Sequence, residues 1–331
     1  MSRQMSRKVG TRIVLFILLA TILVTFGIQV QEEQEKEKTY HLIFVPKTID
    51  SANDFWTALI KGAELGAEEF GAEIEVVGGR SEDDVETQIK TIEESIKKNP
   101  DAILVAPADY SLLHDVLQKV KDAGITLIYI DSTTENDIAD CEVSTDNYKA
   151  GKELGEYARA LIDENTEIGI MGHVKGTSTE MERENGIRDG LGNYKANIID
   201  ISYCDSSYEK AYSQTKTMLM KNPDIRLLIG TNEYAAVGTA RAIKDMGMEK
   251  KIKIVGFDNS VEEIQLLEEG VFDGIIIQKP FNMGYMGVEQ AIALLEGKTV
   301  EKTLDSGCKL ITRDNMYEEE NQRLLYPFSG Q

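Results

Sequence analysis

KNPDAILVAPADY at residues 98–110 and KNPDIRLLIGTNEY at residues 221–234 share an opening and a place in the chain. Each Pro follows a helical pattern and precedes a run of branched apolar residues, a signal that ends a helix and admits a strand. The two openings lie 221 − 98 = 123 residues apart. The same punctuation at the same point of the strand–helix order predicts two similar half-domains.

Working outward, short apolar runs recur along the whole body: YHLIFVP (40–46), EIEVV (73–77), AILVA (102–106) and TLIYID (126–131). EIGIMG (167–172), ANIIDIS (196–202), RLLIG (226–230), KIKIVGFD (251–258) and FDGIIIQ (272–278) follow. Between them lie stretches such as FWTALIKGAELGAEEF (55–70), whose apolar residues return at helical spacing. Continuous apolar strands alternating with helices of this length indicate parallel sheets built from βαβ units. The predicted fold is α/β, with two doubly wound parallel-sheet lobes.

The chain has 331 residues, room for roughly two domains. Its formal charge is 36 − 57 = −21, and Arg3, Arg7, Lys8 and Arg12 fall before any acid. The rest is therefore strongly acidic and repels phosphate-rich partners, so no nucleic acid is expected. Those four cations precede an unbroken apolar run from Ile13 to Ile28, and QEEQEKEK (31–38) follows. Positive charge before the run places the N-terminus in the cytoplasm and the body outside. No small-x-small cleavage site is obvious just after the run, and no cysteine stands there to accept a lipid. The reading is a basic tail at 1–12, a transmembrane signal-anchor at 13–30 and a linker at 31–38, with a cleaved signal peptide as second choice. Cys141, Cys204 and Cys308 are too few for a disulfide framework and match no metal spacing, so they read as buried thiols.

Ligands of open parallel sheets bind beyond the carboxyl ends of the strands. The residues there are Asn53, Asp54, Phe55 and Trp56 after the first run, and Asp131 and Ser132 after the fourth. Arg183 follows EIGIMG, Asn232 follows RLLIG, Asp258 closes KIKIVGFD and Gln278 closes the ninth run. Carboxylates, Arg and side-chain amides suit hydroxyls, and aromatic faces suit the C–H patches of a pyranose. Taken singly, each Asp or Asn is as well explained as a helix cap or turn residue. Glu82-Asp83-Asp84 reads as a cluster at a helix start, favoured by the dipole and remote from the cleft.

From about residue 39 to 315 the chain resembles the periplasmic sugar-binding proteins of the ribose/galactose-binding type, related to lactose-repressor effector domains. The residues that carry this are NDFW (53–56), ITLIYID (125–131), STDNYKAG (144–151) and GTSTEMERENG (176–186). TNEYAAVGTARA (231–242), IVGFDNS (254–260) and IIIQKP (275–280) complete them. The resemblance implies sugar contacts from Asn53, Phe55, Trp56 and Asp131 on one lobe and from Arg183, Asn232, Asp258 and Gln278 on the other. It also implies a three-crossover hinge, with lobe one at 39–145 and 279–307 and lobe two at 146–278 and 308–331. Two positions depart: Ser132 stands where the ribose protein has an Arg, and Ser206 where it stacks a Phe. Tyr203 or Tyr208 are candidates for the missing ring. The lost charge and volume point to a pentose or hexose other than ribose.

The expected ligand is thus a neutral monosaccharide and the expected partner an ABC permease or a membrane histidine kinase. The membrane itself would be met through the N-terminal helix. No cofactor or metal is expected. The alternative is an enzyme acting on a small polar metabolite in the interlobe cleft. Only His41, His114 and His173 are present, and no GxSxG, P-loop or GxGxxG motif appears. His41 falls in the first strand and His114 on a helix face, so neither reads as a catalytic base.

Overall fold

The computed structural model describes residues 39–326. Two six-stranded sheets form its frame. The first contains β1 (His41–Val45), β2 (Glu73–Val76), β3 (Ala102–Val105), β4 (Thr126–Ile130), β5 (Cys141–Ser144) and β11 (Thr303–Asp305), in the order β11-β5-β4-β3-β1-β2. The second contains β6 (Glu167–Gly172), β7 (Ile198–Tyr203), β8 (Ile225–Gly230), β9 (Lys253–Phe257), β10 (Gly274–Ile277) and β12 (Lys309–Thr312), in the order β12-β10-β9-β8-β6-β7. β3 and β8, which follow the two KNPD segments, hold the same place in their sheets. The pairings are parallel except that β12 runs antiparallel to β10.

Both faces of each sheet are covered, which is why the central strands are apolar without alternation. In lobe one, Leu42, Phe44, Leu104 and Ile128 pack under α1 (Asp54–Glu69) and α9 (Pro280–Leu295). Ile43, Val45, Ile103 and Leu127 face the other way, onto Ile92 of α2 (Val85–Lys97) and Leu117 of α3 (His114–Asp122). In lobe two, α4 (Asn147–Ala160) and α5 (Ser178–Leu191) cover one face. The opposite face is covered by α6 (Tyr208–Lys221), α7 (Glu233–Asp245), α8 (Val261–Glu269) and α10 (Glu319–Leu325). Full burial of each such Leu, Ile or Phe contributes about 1.5–3 kcal/mol, so the two cores dominate the stability.

The chain passes between the lobes three times: from β5 to α4, from β10 to α9, and from β11 to β12. The strands that flank these passages, β5, β11 and β12, were not among the nine expected from the sequence. CEVS, TLD and KLIT are short and half polar, and each gains its place by pairing with a strand distant in sequence or with its sheet neighbour, β5 with β4 and β11, β12 with β10. The apolar run at 13–30 lies outside the described residues, and no described helix is long and apolar enough to cross a membrane. Cys141 and Cys204 are buried and free, whereas Cys308 is only half-buried.

Candidate functional site

The polar groups of the cleft sit just past the carboxyl ends of strands in both sheets. Asp131 follows β4 and Asp258 follows β9, the third strands in the two sheet orders. Both residues take left-handed backbone conformations, with φ of 67° and 82°. A non-glycine residue held there costs about 1–3 kcal/mol, a strain that clusters at binding sites. The duplicated fold thus places one carboxylate past the equivalent strand in each lobe, Asp131 in the cavity wall and Asp258 behind Gln278.

Lobe one contributes an aromatic corner. Asn53 caps α1, its Oδ1 accepting from the Trp56 backbone N–H at 3.0 Å, and this cap orients the helix start. Phe55 and Trp56 then meet edge to face, 5.2 Å between ring centroids. Asp131 accepts from Lys47 Nζ at 2.8 Å, and both side chains are almost wholly buried. Lobe two contributes Arg183, whose Nε donates to Asn147 Oδ1 at 2.8 Å and whose Nη1 donates to the Thr231 carbonyl at 2.6 Å. The guanidinium lies 4.4 Å over the Phe257 ring. Asp258 accepts from Gln278 Nε2 at 2.7 Å and from the Glu233 backbone N–H at 2.9 Å. Burial pushes the Asp258 carboxyl above its ordinary range, and the Arg183 charge and these hydrogen bonds offset part of that. Gln278 Oε1 is buried and accepts from no protein donor, so it is free to take a hydroxyl.

Phe55, Trp56, Asp131, Arg183, Asn232 and Gln278 line one small cavity between the lobes. Asp258 stands behind Gln278 rather than in the wall. Asn232 keeps its capping role, Oδ1 accepting from Ala235 N at 2.9 Å, while its amide donates to Ser206 Oγ at 3.1 Å. Two expected residues are turned away: Asn53 is spent on the α1 cap, and Ser132 Oγ donates to the Pro107 carbonyl at 2.9 Å. Neither Tyr203 nor Tyr208 supplies the missing ring. Their hydroxyls go to Glu184 and Glu233, and the Tyr208 ring packs at a 50° tilt against Tyr234, 4.6 Å between centroids.

Four more residues line the cavity that sequence reasoning did not place there: Lys47, Glu82, His173 and Thr179. Glu82 is a correction. It is 4% exposed and sits in the cleft, its carboxylate accepting from Trp56 Nε1 and, across the cleft, from Ser206 Oγ at 2.6 Å. The helix cap assigned to that cluster is made by Asp84, which accepts from Thr87 N. His173 is buried on Glu180 and bonds Thr231 and Thr179 through its two ring nitrogens. Burial raises the Glu180 carboxyl, but the His173 charge and hydrogen bonds outweigh it and hold it below its usual range. Lys47 lies two residues past β1, His173 directly follows β6 and Glu82 lies in the loop after β2. The strand-end rule that found Asp131 would have found them too.

The lobes are closed on each other. Thr133 N donates to Ser178 Oγ at 2.9 Å and Tyr110 N to the Gly176 carbonyl at 2.9 Å. Phe55 N donates to Glu233 Oε2 at 3.2 Å, Tyr234 OH to Asp50 at 3.1 Å and Val261 N to Asp54 at 3.0 Å. Two similar lobes, three crossings and a polar cavity between them define a protein that clasps a small ligand. The chain belongs to the periplasmic binding protein family, whose domain model matches residues 42–299. It is a binding protein and not an enzyme, as are the relatives it matches.

Among these is the D-ribose/D-allose-binding protein of Pseudomonas aeruginosa, 28% identical over 262 residues, covering 77% of this chain and 82% of that one. The ribose import binding protein of Bacillus subtilis is 25% identical over 79% of this chain and 84% of its own length. Among solved structures, a sugar transporter from Clostridium phytofermentans is 45% identical, with a TM-score of 0.79 over 83% of this chain and 99% of that chain. An ABC transporter solute-binding protein from Agrobacterium vitis, bound with alpha-D-tagatopyranose, is 28% identical, with a TM-score of 0.80 over 87% of this chain and 99% of that one.

Proposed function

We propose that this chain is the extracytoplasmic receptor for a neutral pentose or hexose in an ABC-type uptake system, closing its two lobes around the sugar. The observation that carries the reading is the wall itself. Asp131 enters from lobe one and Arg183 and Asn232 from lobe two, Asp258 holds Gln278 from behind with Gln278 Oε1 awaiting a donor, and Trp56 offers an apolar face. Acceptors, donors and one ring around a single cavity match the alternating hydroxyl and C–H surfaces of a monosaccharide. The ribose, allose and tagatose ligands of the relatives support the same class. A thermal-shift panel of common pentoses and hexoses at millimolar concentration tests it. At least one sugar should raise the melting temperature by mass action. A panel in which none does, with no heat in calorimetry, removes the sugar reading.

The N-terminal sequence favours a second role for the same binding event. Four cations followed by the apolar run Ile13–Ile28 support an uncleaved anchor, which would hold the closing lobes beside the membrane. A receptor fixed there is suited to report occupancy to a membrane histidine kinase as well as to deliver sugar. Co-purification from membranes with a kinase supports sensing; co-purification with permease subunits alone leaves delivery.

A further inference from the structure

We propose that Glu82 is a specificity-determining residue of the sugar site: with Ser206 it straps the two lobes together along one rim of the cavity, and the site thereby prefers a pentose to the hexose of matching stereochemistry. The inference rests on the sugar-binding reading and narrows it.

The strap is a chain of four side chains, two from each lobe. From lobe one, the Trp56 indole N–H donates to Glu82 Oε1. From lobe two, Ser206 Oγ donates to Glu82 Oε2 at 2.6 Å, and Asn232 Nδ2 donates to Ser206 Oγ at 3.1 Å. Trp56, Glu82 and Asn232 all line the cavity. Each Glu82 oxygen is thus taken by a donor from a different lobe. Glu82 is almost wholly buried, so both bonds are charge-assisted and sheltered from water. A contact of 2.6 Å between Ser206 and Glu82 leaves no gap through which a ligand group could pass between the lobes there.

The lobe-two backbone is bent to make this contact. Asp205 and Ser206, in the loop after β7, have φ of 49° and 50°. Residues other than glycine avoid this region, and those held in it cluster at binding sites. Among the described residues five are so held. Asp131 and Asp258 stand at strand ends of the cleft, Asp205 and Ser206 form this turn, and only Asn99 lies elsewhere. Cys204 N donates to the Gly172 carbonyl at 2.9 Å and Asp205 N to the His173 carbonyl at 2.8 Å, which pins the turn to the end of β6.

A sugar ring laid on the Trp56 face turns its equatorial substituents outward, toward the rim of the cavity. Asp131, Arg183 and Gln278 are the groups that read its hydroxyls, and the rim at the indole N–H belongs to the strap. A hexopyranose differs from the pentopyranose with the same configuration at C2–C4 by one CH2OH group on the ring. At the strapped rim that group meets Glu82 and has to part it from Ser206, which undoes a contact that closes the lobes. A pocket wall discriminates one carbon of this kind by roughly 10–200-fold.

The test is calorimetric affinity of the full chain for three matched pairs: D-ribose with D-allose, D-xylose with D-glucose, and L-arabinose with D-galactose. In whichever pair binds, the pentose should bind at least about tenfold tighter than its hexose. Ser206→Gly removes the lobe-two end of the strap, and a φ of 50° suits glycine, so the fold is kept. Its pentose-to-hexose ratio should fall to near unity, whereas general damage would weaken both members of a pair alike. Glu82→Ala should lower the ratio in the same way. The double variant should do no more than either single one, because both break one strap. A wild type that takes the hexose as well as the pentose, a Ser206→Gly protein that keeps the full preference, or single effects that add overturns the proposal and leaves the sugar reading standing. Heat from no sugar of any pair removes the sugar reading, and this proposal falls with it.

Discussion

Arg183→Ala is expected to weaken sugar binding by at least about 2 kcal/mol and to lower the unfolding free energy by about 3–5 kcal/mol, the usual cost of removing one partner from a buried charged network. Arg183 is 2% exposed and lies on the Phe257 ring, with Asn147 and the Thr231 carbonyl as its acceptors. Its charge is the main electrostatic offset to the burial of Asp258. Without it, Asp258 is driven further toward the neutral acid, and the Thr231 carbonyl and Asn147 Oδ1 lose their donor. Arg183→Lys keeps the charge but not the planar fork that makes both bonds while lying on the ring, so only part of the loss should be recovered. Denaturant melts and calorimetry on the same preparations separate the two effects. Unchanged affinity in a folded Arg183→Ala protein would mean that this side chain stands outside the ligand's reach.

Gly151→Val should be comparably damaging although position 151 does not line the cavity between the lobes. α4 and α5 approach so closely that a Cβ on Gly151 would lie 2.4 Å from the Arg183 carbonyl oxygen. The contact is reciprocal, since a Cβ on Gly186 of α5 would lie 2.2 Å from the Tyr148 carbonyl oxygen of α4. Gly155 and Gly190 repeat it one turn on, at 2.4 Å from the Ile187 oxygen and 2.2 Å from the Lys152 oxygen. Overpacking ordinarily costs about 1–3 kcal/mol, and here the obstacle is main chain that cannot rotate away, so about 3 kcal/mol or more is expected. Because the displaced backbone is that of Arg183, sugar affinity should fall with stability. Gly124→Asn is the control: its φ of 73° suits Asn, and nothing lies within 4 Å of the added carbon. A Gly151→Val protein with wild-type stability would show that the helices can separate at little cost.

The two-lobe frame was legible because it is written in long-range repetition. The nine apolar runs alone suit one large sheet or two smaller ones, and the paired KNPD segments are what favour two. The glycines that join α4 to α5 were not legible, because a close backbone approach leaves no periodic trace in one sequence. β5, β11 and β12 escaped for a related reason: their hydrogen bonds go to distant strands, and their own residues carry little apolar signal. At the cavity, Asp131 and Gln278 stand where the strand ends put them, and Arg183 reaches it from α5, the helix that follows β6. Glu82 was lost because consecutive acids before a helix have a simpler local explanation, which Asp84 in fact fulfils. Ser132 was over-read for the converse reason. Its place after a strand-end Asp is right, but a left-handed turn at Asp131 sends its hydroxyl back to Pro107.

The central claim is that a neutral sugar is held between the lobes, against Trp56. Titration of the wild-type chain at constant pH with the sugar giving the largest thermal shift, read by Trp56 emission, addresses it most directly. Trp56 is the single Trp and its indole N–H is held by Glu82, which Ser206 joins from the other lobe, so the signal can come only from the cleft. A saturable emission change with the calorimetric midpoint, shifted to at least about thirtyfold higher sugar in Asp258→Ala, is the expected result. Calorimetric saturation with no change in Trp56 emission, or a midpoint that Asp258→Ala leaves in place, would put the sugar somewhere other than this cleft.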